Sequence, residues 1–236
     1  MLSEISLDKV LVIDLETVPA YPGYESVPER ERALWDRKAG MLRSGEDTAA
    51  SLYPRAGIYA EFGRIICISA GRVRAGKFRI RSFAGADEKE ILVRFSDFLS
   101  QPSQQGILLC AHNGKEFDFP YLARRMLIQG LPLPSLLNLA GKKPWEIRHL
   151  DTMELWKFGD YKHYTSLDLL CHVFGLDSPK QNTDGSKVAA LWWKDHDIRA
   201  IRNYCEQDVL SVMNVLRCFR GEEALKPELV FYQRQN

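Results

Sequence analysis

Apolar and polar positions repeat with two different periods along this chain, and the switches between them mark its elements. Val10 to Thr17, VLVIDLET, opens with four apolar residues and reads as a buried strand. Strand side chains alternate faces, so Val12, Asp14 and Glu16 share one face while Leu11, Ile13 and Leu15 share the other. Arg64 to Val73 is a second apolar-rich strand. Lys77 to Ala84 alternates Lys77, Arg79 and Arg81 against Phe78, Ile80 and Phe83, with one slip, as a half-buried strand does. The short Arg74-Ala75-Gly76 link makes these two a hairpin, and with the first strand an antiparallel three-stranded meander. Asp87 to Leu99 switches to helical spacing, with Ile91, Leu92, Phe95, Phe98 and Leu99 on one side. Ile107 to Ala111 is continuously apolar, as expected of a strand covered on both faces, and the strand–helix–strand order predicts a crossover into a parallel neighbour.

The later elements are helical. Pro120 near a helix start suits the run YLARRMLIQG. Asp151 to Glu154 has capping-box spacing, which gives Asp151 a structural role. Ser166 is placed to cap LDLLCHVFG, Gly185 to Lys194 reads as another short helix, and the last long helix runs from about Ile198 to Phe219. The tail after Gly221 carries little signal. Between Val18 and Phe62 the strand pattern lapses: Pro19, Pro22, Gly23 and Pro28 break the chain before ERERALWDRKAGML, a short charged helix. This insertion, at about residues 19–62, reads either as a solvated excursion or as a flap over a site entrance.

Composition narrows the possibilities. With 236 residues and 45% hydrophobic content the chain can bury a full core, and residues 1–236 are expected to form one domain. Lys plus Arg number 32 against 31 for Asp plus Glu, so the net charge of +1 is silent about nucleic acid. The cluster Arg64, Arg72, Arg74, Lys77, Arg79 and Arg81 reads as the wet face of an edge strand or as a phosphate contact. No signal pattern or membrane-length apolar run is present, and five cysteines without a C-x-x-C pair read as reduced core residues; a cytoplasmic protein is expected.

Candidate chemistry sits at the element ends. Asp14 and Glu16 project side by side from the end of a core strand, which is unfavourable unless protons or cations neutralise them. Asp118 follows a buried strand, where it has an alternative role as a helix N-cap. Asp208 falls on the apolar stripe of the last helix, one turn after Tyr204 and one turn before Val212, and a core-facing acid needs compensation. Four carboxylates from three elements suit a pair of hard divalent cations, Mg²⁺ or Mn²⁺, which take oxygen ligands.

The stretches IDLET, HNGKEFDFPYL and YCEQD resemble, in order, the three motifs of the DEDD 3′–5′ exonucleases, most closely the branch related to the proofreading domain of family-B DNA polymerases. Asp14-Leu15-Glu16 is the only D-x-E in the chain, and Tyr204 stands where the resembled tyrosine branch has its tyrosine; the sister branch has a histidine at the position of Asn203. The resemblance implies an α/β, ribonuclease-H-like fold, a mixed five-stranded sheet flanked by helices. It also implies that Asp14 bridges two ions, that Glu16 and Asp208 complete the tighter site, that Asp118 serves the second ion, and that Tyr204 orients the attacking water. Glu16 and the backbone at Leu15 and Thr17 would hold the terminal 3′-hydroxyl. Asn113 and Phe117 are candidates to contact the last nucleotide or support its pocket. Lys115, Arg124 and Arg125 read as a solvated helix face or as phosphate contacts.

The expectation is a stand-alone, metal-dependent exonuclease on single-stranded 3′ ends, DNA before RNA, with a polymerase or repair partner in trans. An exoribonuclease and a catalytically silent binding module on the same fold are the alternatives.

Overall fold

A computed structural model of the chain describes residues 2–160, 162–177 and 185–233. Six strands are present among these residues: β1 (Val10–Pro19), β2 (Gly63–Arg74), β3 (Lys77–Ala84), β4 (Leu108–Ala111), β5 (Leu150–Asp151) and β6 (Val230–Gln233). They form one mixed sheet in the order β5-β4-β1-β2-β3-β6. β1, β2 and β3 are the expected antiparallel meander, and β4 runs parallel to β1. The sheet has one strand more than the five expected. The tail forms β6, which lies parallel along the outer side of β3. Four residues are too few for an alternation to be legible in the sequence.

Because β3 is covered by β6, its cations do not line a bare edge. Lys77 and Arg79 lie over the Phe231 ring, and Arg81 lies over Phe83. Arg72 donates to the Asp8 and Ser103 carbonyls, and Arg64 to that of Ala86. These cations tie loops and rings to the sheet.

The helices are α1 (Glu29–Leu42), α2 (Ala49–Leu52), α3 (Glu88–Leu99), α4 (Asp118–Ile128), α5 (Thr152–Lys157), α6 (Leu167–Val173), α7 (Gly185–Trp193) and α8 (Ile198–Phe219). The alternation along β1 sorts the layers. Leu11, Ile13 and Leu15 pack with Phe95 of α3 and Leu122 of α4 on one face. Val10 and Val12 pack with Val209, Val212 and Leu216 of α8 on the other. Each such side chain buried contributes about 1.5–3 kcal/mol. Gly71 of β2 lets α8 come close: a Cβ there would stand 2.6 Å from Cγ1 of Val209. No helix among the described residues is long and apolar enough to cross a membrane.

The insertion is folded. Trp35 of α1 is fully buried among Val27, Leu52, Tyr53 and Ala56, and its indole N–H donates to the Ala49 carbonyl at 2.8 Å. The segment is clamped to the sheet layer. Tyr121 of α4 donates its hydroxyl to the Gly57 carbonyl at 2.8 Å, and Arg125 donates to that of Ala60 at 2.7 Å. Arg125 also pairs with buried Glu88, so it is neither a solvated face nor a phosphate contact.

Candidate active site

β1 delivers the first acids. Asp14 and Glu16 continue the Val10–Val12 face, toward α8. Glu16 pairs with Cys67 of β2 and Thr17 with Ile65, so β2 carries an extra residue, Ile66, opposite the Glu16–Thr17 step. Such a bulge sharpens the local twist and re-aims side chains where a strand ends. α8 delivers Tyr204 and Asp208 from successive turns of its inward face. A cleft of about 300 Å³ gathers Asp14, Leu15, Glu16, Thr17, Phe117, Tyr204 and Asp208.

Asp118 sits beneath this cleft, 4% exposed. It does not cap α4: Phe117 is the N-cap residue and makes no side-chain bond to the helix. The Asp118 carboxylate is turned inward, close enough to Asp208 for the two charges to interact. Asn113 stands apart from the other sequence candidates. It lines a separate cleft, with Lys115 and Lys157.

The electrostatics are those of acids awaiting a counter-charge. Burial, then the Asp208 charge and then that of Glu16, push Asp14 well above the usual carboxylate range. Burial and Asp208 do the same to Glu16. Burial pushes Asp118 up to about 8, against the amides of Asp118 and Leu15, which favour its ionised form. Tyr204 shares a side-chain hydrogen bond with Asp208, and burial with that neighbouring charge drives its hydroxyl far above the ordinary phenol range. Without a cation beside it, the hydroxyl keeps its proton and can orient a donor or acceptor.

The donor set fits a hard cation. Oδ2 of Asp14 is buried with no hydrogen-bond partner among the described residues, an arrangement that is costly unless a ligand completes it. Oxygens of Asp14 and Glu16 and the Cys205 sulfur lie within 4.8 Å of one another. The Cys205 thiol is the misfit: burial raises its pKa, and its S–H points to the Asp14 carbonyl at 3.4 Å. The oxygens are the ligands that Mg²⁺ or Mn²⁺ prefers.

Three contributions escape the sequence pattern. Asp151 does cap α5, accepting the amides of Met153 and Glu154, but it also accepts those of Asn113 at 2.9 Å and Lys115 at 3.0 Å. One buried carboxylate thereby fixes the loop leading into Phe117 and Asp118. Pro54, Gly57 and Ile58 of the insertion form a wall of the cleft, with Ile58 48% exposed. Gly57 permits that approach, since a Cβ there would stand 2.9 Å from the Val18 carbonyl carbon. Glu206 is 1% exposed and takes a hydrogen bond from Ser82, anchoring α8 to β3.

A ribonuclease-H-like sheet bearing acids at the end of its central strand and on its covering helix is the architecture of a polymerase-type exonuclease domain. Residues 58–232 match the family described as "Predicted 3'-5' exonuclease related to the exonuclease domain of PolB", and the chain belongs to that family. A solved structure of similar fold is the family B DNA polymerase from the hyperthermophilic archaeon Pyrobaculum calidifontis. It has 17% identity and a TM-score of 0.55, covering 88% of this chain and 24% of the polymerase. The chain thus corresponds to about a quarter of that enzyme's length. No curated protein matches it.

Proposed function

We propose that the chain is a metal-dependent 3′–5′ exonuclease that releases nucleoside 5′-monophosphates from single-stranded 3′ ends. The observation that carries this reading is the buried, unpartnered Oδ2 of Asp14 in a cleft shared with Glu16 and Asp208, with Asp118 beneath. Asp14, Glu16, Asp118 and Asp208 would hold two divalent cations. When bound, these supply Lewis acidity, lowering the pKa of the attacking water and stabilising the leaving 3′-oxygen. Tyr204, whose hydroxyl bonds Asp208, orients the water. Leu15, Thr17 and Phe117 line the space for the terminal nucleotide, and Ile58 closes its other side. A cleft of about 300 Å³ suits one nucleotide rather than a base pair, which favours single strands.

DNA is the favoured substrate because the family is defined by its relation to a DNA polymerase domain. A polymerase or repair protein acting in trans is the partner this role calls for, in the cytoplasm. The test is digestion of matched 5′-labelled DNA and RNA strands with Mg²⁺ or Mn²⁺. A 3′-to-5′ ladder is expected, stronger on DNA, and Asp14→Ala abolishes it. No ladder on either strand overturns the activity, and a stronger RNA ladder overturns the substrate.

A further inference from the structure

Three large rings on either side of β5 and α5 stand in solvent. Trp145 and Phe158 are each 76% exposed, and Tyr164 is 64% exposed. Trp145 follows the cleft-lining Pro144, Phe158 follows the cleft-lining Lys157, and Tyr164 lies under Lys157, so the three rings border one cleft. Two of the rings carry their own cation: Lys143 lies 5.2 Å from the Trp145 ring centre, and Lys157 lies 4.1 Å from that of Tyr164. Phe158 closes α5 in a left-handed backbone, φ 44°, a conformation unfavourable for a bulky side chain, and its ring meets Trp156 edge-on.

The cleft they border, of about 220 Å³, is lined among others by Asn113, Lys115, Lys142 and Lys157. Glu116, Glu154 and Asp151 also line it. The Asp151 carboxylate is occupied by four backbone amides, and Glu154 pairs with Lys115 at 2.5 Å. Lys142 and Lys157, with Lys143 beside them, remain for an incoming anion.

This cleft and the catalytic one share no lining residue, but one loop borders both. Asn113 and Lys115 face the first, and Phe117, two residues on, faces the second. His112 fastens that loop to α5 and to Thr165: its ring nitrogens lie 2.9 Å from the Thr152 hydroxyl and 2.9 Å from the Thr165 carbonyl, next to Tyr164.

We propose that this face is the track for the single strand on the 5′ side of the nucleotide being removed. Its bases stack on Trp145, Phe158 and Tyr164, and its phosphates reach Lys142, Lys143 and Lys157. The inference rests on the nuclease reading above. Rings interleaved with lysines suit unpaired bases joined by phosphates. Base stacking tolerates any sequence, as a degrading enzyme requires, and the near balance of charge in the cleft makes stacking the larger share of the affinity.

The test measures strand binding apart from cleavage. Metal-free wild-type protein is titrated with 5′-fluorescein oligonucleotides of increasing length, followed by anisotropy. Affinity is expected to rise at least tenfold from a dinucleotide to a strand of about eight nucleotides. Trp145→Ala and Tyr164→Ala each remove about fivefold to tenfold of the longer strand's affinity and flatten the length dependence, whereas Trp145→Phe restores it. Variants that keep the wild-type length dependence overturn the track and leave the rings to a protein partner, with the nuclease reading intact if the ladder still forms. Length-dependent binding lost in the variants, without cleavage by the wild type under any metal, keeps this face as a single-strand surface but overturns the nuclease reading and, with it, the face's place on the 5′ side of a scissile nucleotide.

Discussion

The carboxylate of Asp151 accepts the backbone amide of Asn113 at 2.9 Å, across 38 residues of sequence, while the same group caps its own helix. A helix cap and a catalytic loop thus depend on one side chain. Asp151→Ala strands the Asn113 and Lys115 amides and uncaps α5, which costs about 2–4 kcal/mol. It also lowers kcat, because Phe117 and Asp118 follow the loop. Denaturant unfolding checks the stability loss. An unchanged kcat in the folded fraction would show that the loop holds its place without Asp151.

Proton linkage makes the metal-free protein sensitive to pH. Burial raises Asp118 to about 8 and lifts Asp14 and Glu16 as well. A carboxyl group whose pKa is higher folded than unfolded stabilises the fold at low pH. That stabilisation is lost as pH rises from the unfolded value through the folded one. The contribution of Asp118 therefore falls between about pH 4 and about pH 8. Ion binding needs the ionised acids, so Mn²⁺ affinity climbs over the same interval and binding releases protons. Thermal unfolding in chelator, with Asp118→Asn as the variant that flattens the slope, and calorimetry in buffers of different ionisation enthalpy measure the two effects. Proton uptake on binding would contradict both.

Tyr204→Phe keeps the ring in its packing and removes only the hydroxyl that bonds Asp208. The expected result is a loss of about 10- to 100-fold in kcat, with Mn²⁺ affinity near that of the wild type. A kcat within twofold of wild type would assign the hydroxyl no part in positioning the water.

Gly57→Ala places a methyl group 2.9 Å from the Val18 carbonyl carbon and 3.0 Å from the Pro19 nitrogen. Both are backbone atoms of β1, so the insertion must move. The cost is about 1–3 kcal/mol. The wall carrying Ile58 moves with it, and KM for a single strand rises while kcat changes less. Equal KM values would show that this wall does not touch substrate.

Much of this arrangement is legible in the sequence because it rests on periodicity. Period-2 alternation placed Asp14 and Glu16 on one face of β1, and helical spacing placed Asp208 with Tyr204 on the inward side of α8. Both follow from backbone geometry alone. The bulge at Ile66, the approach of Gly57 to Val18 and the second task of Asp151 depend on which distant segments meet, which spacing does not encode. Asp118 illustrates the boundary. A short acid at a helix start has two good local explanations, and only the inward turn of its side chain decides between them. The insertion's charged composition left a solvated excursion and a flap both open; its buried Trp35 gives it a core of its own, and Pro54, Gly57 and Ile58 bring it to the cleft.

β6 completes the sheet from the far end of the chain, long after the carboxylates of the cleft have been laid down. During synthesis the outer ladder groups of β3 stay open until Val230–Gln233 arrive, and an open edge is a template for another chain. A protein shortened before Val230 retains every acid of the cleft yet presents that edge permanently. Such a truncation would be limited first by self-association, which light scattering would detect, rather than by any loss of chemistry.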